Sequence, residues 1–255
     1  MTHLDTLPVD VSGAPDLAAL AQRYAVPPGP RAGAAGWVRA LMITTLDGRA
    51  TGEDGRSGTI GTPADLAVLE TVRALSDVVV VAAGTVRAEG YTRLGTPPPL
   101  ARLRTDAGRS AYPVLAVVTA SGDLPDRVLD ARDDGGELLV LVTERTDTGR
   151  LRRRLGPDRV LVAGTEQVDP GRALDLLAAR GLADVVCEGG PGLLHQWLAC
   201  GALDELCLTV RSLLLGGDGP RLLTGAPLPQ QARDWRTTQV LAADGDLMLR
   251  VRPRG

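Results

Sequence analysis

The sequence predicts an α/β fold: one mostly parallel central sheet flanked by helices, closed by an antiparallel hairpin at the C-terminus. Three observations carry this. The run Asp77-Val78-Val79-Val80-Val81-Ala82-Ala83-Gly84 is continuous and β-branched, as in strands buried on both faces of a parallel sheet. Strand-like and helix-like stretches then alternate along most of the chain. After Gly216-Gly217 the pattern changes to Thr237 to Ala242 and Leu247 to Val251 around Asp244-Gly245, an antiparallel hairpin. The chain has 255 residues, 44% hydrophobic and 23% charged, enough for one core. No apolar run approaches the ~20 residues of a membrane span.

Residues 1–36 are rich in Pro, Gly and Ala and read as an N-terminal arm with one short helix, Asp16 to Tyr24; the domain proper is 37–255. Its first strand is Trp37 to Thr44. Asp47-Gly48 and the Gly-rich stretch from Gly52 to Gly61 are loop. Thr62-Pro63-Ala64-Asp65 then starts a helix: Thr62 caps, Pro63 suits the first turn, and Asp65 holds the acidic capping-box position. Leu66, Leu69, Val72 and Leu75 follow at helical spacing. Later strands are expected at Val114 to Thr119, Glu137 to Val142, Val160 to Ala163, Asp184 to Glu188 and Glu205 to Val210, with helices at Arg150 to Leu155 and Pro170 to Arg180. The basic run Arg150 to Arg154 fits a solvated helix face.

Composition removes several chemistries. All 28 basic residues are Arg, and Lys, Asn and Phe do not occur. A lysine-dependent phosphate loop, a lysine Schiff base and a Tyr-Lys dyad are therefore excluded. A net charge of −3 with scattered Arg argues against a nucleic-acid partner. Cys187, Cys200 and Cys207 form no C-x-x-C, the N-terminus lacks signal-peptide features, and a cytoplasmic location is expected. No metal-ligand spacing or G-x-S-x-G elbow is present, and His3 and His195 are poorly placed for a serine triad.

Ligands of open α/β sheets bind beyond the carboxyl ends of the strands. Three such places stand out. In Val185-Val186-Cys187-Glu188-Gly189-Gly190-Pro191 a strand breaks on two glycines and enters a helix whose free N–H groups attract an anion, although a tight turn alone would also explain it. In Gly84-Thr85-Val86-Arg87-Ala88-Glu89, Thr85 can cap or bind a phosphate that Arg87 neutralises, with Glu89 beside it. Thr119-Ala120-Ser121-Gly122 offers hydroxyls to a ribose or its phosphate, or is a plain turn.

Together, Thr45-Leu46-Asp47-Gly48-Arg49, Gly84-Thr85-Val86-Arg87-Ala88-Glu89, Glu188-Gly189-Gly190-Pro191 with Leu193-Leu194, Leu203-Asp204-Glu205-Leu206 and Leu215-Gly216-Gly217 resemble the reductase domain of riboflavin biosynthesis. The resemblance implies a dihydrofolate-reductase-like fold and NADPH-dependent reduction of a ribosylaminopyrimidine phosphate to its ribitylamino form. It implies cofactor contacts at Gly84, Thr85, Val86, Thr119, Ser121, Glu188, Gly189, Gly190, Pro191, Leu193 and Leu194. Asp47 and Glu89 would be the catalytic acids, with Thr45, Thr59 and Arg93 on the substrate; Asp47 could instead only stabilise its turn. The family also implies a homodimer, with which the apolar Leu213-Leu214-Leu215 is compatible.

Two departures bear on the substrate. Many members carry a phosphate-binding Arg near the position of Leu66, a contact that Arg93 or Arg56 would have to replace here. Thr119 to Asp123 places an acid where a 2′-phosphate wants a base. A dihydrofolate or other pterin reductase, or a non-catalytic nucleotide-binding relative, are the alternatives. With no H-x-E and P-C-x-x-C pair, a stand-alone reductase without deaminase is expected.

Overall fold

The computed structural model describes residues 4–9, 13–27, 36–130, 135–232 and 234–254. His3 and residues 28–35 of the expected arm lie outside them. Among the described residues ten strands form one sheet: β1 (Leu4–Thr6), β2 (Val38–Thr45), β3 (Val78–Ala82), β4 (Val114–Val118), β5 (Leu138–Val142), β6 (Val160–Val162), β7 (Val185–Cys187), β8 (Glu205–Arg211), β9 (Trp235–Ala243) and β10 (Asp246–Pro253). Their spatial order is β1-β9-β10-β8-β2-β7-β3-β4-β5-β6. Strands β8 to β6 along that order are parallel, and β9 and β10 form the antiparallel hairpin.

The helices are α1 (Leu17–Arg23), α2 (Pro63–Ala74), α3 (Ala83–Glu89), α4 (Pro98–Asp106), α5 (Asp126–Leu129), α6 (Gly149–Leu155), α7 (Pro170–Ala178) and α8 (Pro191–Ala199). The sequence pattern did not reveal β1, α3 or α4. The valine run ends earlier than expected, because α3 begins at Ala83 directly behind β3 with no side-chain cap. Its small residues let the turn lie close to the neighbouring strand end.

Val78 to Val81 are fully buried, with helices on both sheet faces. At about 1.5–3 kcal/mol per buried Val, these four side chains contribute about 6–12 kcal/mol of hydrophobic drive. The stripe on α2 sits differently from the expected one. Ala64, Ala67, Val68, Thr71 and Val72 face the core, and Leu66 is 50% exposed. Small side chains on the inner face bring α2 close to the sheet.

The N-terminal segment is built into the domain. Strand β1 pairs in parallel with β9, and α1 packs on α2 and α4. The last carbonyls of α1 are taken by buried arginines: Arg39 Nη1 donates to Tyr24 O, and Arg250 donates to Arg23 O and Ala25 O. Glu205, fully buried, binds Arg250 at 2.8 Å and Arg252 at 3.1 Å. The Arg150 and Arg154 side chains pair with Asp126 and Asp130 at the surface.

The topology reverses around β7. The chain runs outward from β2 through β3 to β6, returns through α7 to insert β7 between β2 and β3, and then crosses to β8. Cys187 is in register with Ala40 on one side and Val80 on the other. Such a reversal opens a crevice beyond the carboxyl ends of the strands.

Candidate active site

A cavity of about 300 Å³ occupies that crevice. Strand β2 lends Leu41, Met42 and Ile43; the β2–α2 connection lends Ala50, Thr51, Ser57 and Gly58; α2 lends Asp65 and Leu69. Gly84, Thr85, Ala88 and Glu89 come from α3, with Tyr91 just after it, and Glu188, Gly190 and Pro191 come from the β7–α8 turn. An apolar floor thus carries three carboxyl side chains, and no basic side chain lines it among the described residues.

The glycine turn is built for close approach. Gly189 holds φ +73, which favours glycine, and a Cβ there would lie 2.9 Å from Met42 Sδ. A Cβ on Gly190 would lie 3.0 Å from Thr85 Oγ1, so α3 and α8 meet at this glycine. Gly190 caps α8 without a side-chain hydrogen bond, and Pro191 occupies the first turn. The first N–H groups of α8 therefore remain as anion donors.

Glu188 is held tightly. Arg73 Nε and Nη2 each donate to one of its oxygens at 2.6 Å, and Tyr91 Oη donates to Oε2 at 2.6 Å. The Glu188 side chain is 4% exposed. Burial works against the charge on Arg73, but Glu188 and Tyr91 outweigh it and hold the guanidinium above its usual range. Burial, reinforced by Glu188, likewise raises the Tyr91 phenol. Neither Arg73 nor Tyr91 carried a sequence signal, because their partner lies far along the chain.

Glu89 has a different duty. Its carboxylate accepts Ser57 N at 2.6 Å, Ser57 Oγ at 2.8 Å and Gly58 N at 3.3 Å, which pins the loop forming one cavity wall. Asp65, read from sequence only as a capping residue, faces the same cavity. Burial raises its carboxyl pKa, while a hydrogen bond from Thr209 works the other way. Thr51 Oγ1 is buried at this site and has no partner.

Several expected site residues lie elsewhere. Asp47 does not line the cavity: Thr45 Oγ1 and the amides of Leu215 and Gly216 donate to it, and these bonds hold its pKa below the usual carboxylate range. It fastens the β2 turn to the Gly216 segment as an ionised group, the wrong state for a proton donor. Thr45 is 2% exposed and serves the same turn, accepting Arg49 N. Thr59 binds Asp54 and the carbonyl of Arg56 within its own loop. Arg93 is 6% exposed, with its guanidinium donating to the carbonyls of Val128, Leu129 and Gly136, so it is not free for a substrate. Val86, Leu193 and Leu194 are core residues beneath the site.

Thr119 and Ser121 lie at the end of β4, next to β3. Thr119 Oγ1 accepts Gly122 N, and Ser121 Oγ accepts Asp123 N. Arg87 donates to the carbonyl of Asp123 at 3.0 Å, which sets a cation beside this turn. His195 is tied to Ala226 O at 2.6 Å on α8, a packing role.

Residues 36–249 match the family described as RibD C-terminal domain. The 2,5-diamino-6-ribosylamino-4(3H)-pyrimidinone 5′-phosphate reductase of Archaeoglobus fulgidus is 27% identical over 195 residues, 75% of this chain and 88% of that protein. A Mycobacterium tuberculosis riboflavin biosynthesis protein RibD is 27% identical over 174 residues, 68% of this chain and 41% of its own. Among solved structures, a pyrimidine reductase-like protein from Corynebacterium diphtheriae superposes with a TM-score of 0.71 at 25% identity, covering 86% of this chain and 92% of that one.

Proposed function

The chain belongs to the RibD C-terminal domain family, and from that premise we propose that it is an NADPH-dependent reductase of a ribosylaminopyrimidine 5′-phosphate in riboflavin biosynthesis. The carrying observation is the cavity at the β2-β7-β3 strand ends, bounded by a glycine turn at the start of α8. The residues present suit a dinucleotide. The Gly189-Gly190 turn leaves room at the backbone for a pyrophosphate, Gly84 has open space around it, and Thr119 and Ser121 present hydroxyls one strand further along. Arg87, beside the Asp123 carbonyl, supplies the base for a 2′-phosphate that the sequence of this turn lacks.

The bound nicotinamide would supply hydride to the former anomeric carbon of the ribose. The protein's own work is positional. Leu41, Ile43, Leu69 and Pro191 give the acceptor ring a dry surface, the unpartnered Thr51 hydroxyl offers it a hydrogen bond, and Arg73 and Tyr91 keep Glu188 fixed at the wall. With Arg93 clamped in the core, Arg56 is our candidate for the substrate phosphate, since Gly55 and Ser57 on either side of it line the cavity.

We place the enzyme in the cytoplasm, acting on a small molecule as a homodimer. No helix of the described residues is long and apolar enough to cross a membrane. Leu46 and Leu214, 57% and 71% exposed, lie on segments joined by Leu46 N to Leu213 O and would suit a subunit contact.

One observation favours a second reading, a pterin without phosphate: the cavity wall presents carboxyl groups and no base. NADPH oxidation at 340 nm, with the aminopyrimidine phosphate and separately with dihydrofolate, decides between them. Turnover of the first compound supports the proposal. Turnover of dihydrofolate alone defeats it.

A further inference from the structure

We propose that Asp65 is the acid of this site, the side chain that holds the reaction proton and delivers it to the acceptor. This rests on the reductase reading above.

The described lining residues include no His, Lys, Arg or Cys, so the candidates are Asp65, Glu89, Tyr91 and Glu188. Glu89 already accepts three hydrogen bonds from Ser57 and Gly58, which engage both of its oxygens in holding the loop. Glu188 is the anionic half of a two-bond ion pair with Arg73, and Tyr91 donates its proton to the same carboxylate. Asp65 carries no ion pair among the described residues and looks into the cavity from the first turn of α2, one helical turn before Leu69.

Burial shifts its balance toward the protonated form. Thr209 of β8 donates to it and favours the ionised form, while Asp246 of β10 adds a like charge that favours the proton. Among the described residues Arg211 is the cation that acts on it, but its guanidinium is bound to Asp246, which also accepts Ser212 N. Burial therefore prevails and the carboxyl is displaced upward. The neighbouring Leu66 is half exposed and turned away. On this helix the side chain that meets the acceptor is thus an acid.

The step balances. The acceptor carbon takes up two electrons and one hydrogen as hydride from the reduced nicotinamide, and its bond to the ribose ring oxygen breaks. That oxygen receives the Asp65 proton, and solvent reprotonates the carboxylate for the next turnover.

The test compares wild type with Asp65→Asn, which keeps the shape and the Thr209 contact but cannot release a proton. Carbon-13 NMR of aspartate-labelled protein without ligands should show one carboxyl titrating above the ordinary aspartate range and missing from the variant. With substrate, kcat of the wild type should fall as pH rises through that same value. The variant should be slower by roughly 10²–10⁴ with a flat profile and an unchanged Kd for NADPH. An ordinary titration, or a variant with the wild-type rate and slope, overturns the assignment. A wild type that reduces no aminopyrimidine while this carboxyl still titrates high defeats the substrate reading and leaves the proton on Asp65.

Discussion

Arg73→Met should be among the most damaging single changes in this protein, and its cost can be worked from the geometry. The substitution removes two 2.6 Å hydrogen bonds and the only cation paired with Glu188 among the described residues. Glu188 stays 4% exposed, with the Tyr91 hydroxyl as its one remaining side-chain donor. Breaking a buried pair from one side costs about 3–5 kcal/mol, because the surviving charge is left uncompensated. For a domain of this size that lowers Tm by roughly 6–20 °C. The loss should be pH-dependent. Without Arg73 a charge on Glu188 is buried uncompensated, whereas acid removes that charge, so the variant fares best in acid and weakens as pH rises. Urea unfolding at pH 5 and pH 8 would show the deficit growing with pH. Arg73→Met/Glu188→Gln, with no charge left buried, should recover much of it. A loss under about 1 kcal/mol, or a double variant as unstable as the sum of the two singles, would refute the reasoning.

Three further outcomes are expected. Gly190→Ala sets a methyl 3.0 Å from Thr85 Oγ1 and should weaken NADPH binding roughly tenfold, about 1.4 kcal/mol, whereas Gly192→Ala, 3.8 Å from Thr224 Oγ1, should leave it unchanged in a fluorescence titration. Arg87→Ala should raise the KM for NADPH by roughly tenfold or more with little effect on NADH, as expected for one charge-assisted hydrogen bond; equal effects on both cofactors would remove Arg87 from the 2′-phosphate. Asp65→Asn should raise Tm at neutral and alkaline pH and approach wild type in acid. The sign follows from a folded pKa displaced upward: the native carboxyl contributes stability while protonated and loses it as pH rises through the folded value.

The strand and helix order from β2 to β10 was largely legible in the chain, because apolar periodicity and Gly/Pro punctuation are local signals. The Gly189-Gly190 turn could be read for the same reason: a backbone needing φ +73 and close approach leaves its mark in residue type. Helix α3 escaped because Ala83-Gly84-Thr85-Val86 has no capping side chain and too few residues for a helical stripe. Strand β1 escaped because three residues carry no period.

Residue roles at the site were harder to read. Arg93 looked free as a sequence position, yet three carbonyls from α5 and the segment before β5 enclose it. Asp47 stood in a recognisable turn, but its oxygens are taken by amides roughly 170 residues away. Helical spacing could say that α2 has an inner and an outer face, but not that part of the inner face opens on a cavity. That is why helical spacing singled out Leu66, which is half exposed, while Asp65, one residue earlier, lines the cavity.

The sequence by itself determined the parallel α/β sheet and the glycine turn at the start of α8 and, through the absence of lysine, excluded lysine-dependent chemistry. Only the tertiary structure decided which carboxylates are committed and which one is open. That depends on partners supplied from distant parts of the chain, such as Arg73 for Glu188 across 115 residues, and on the burial that raises the Asp65 carboxyl.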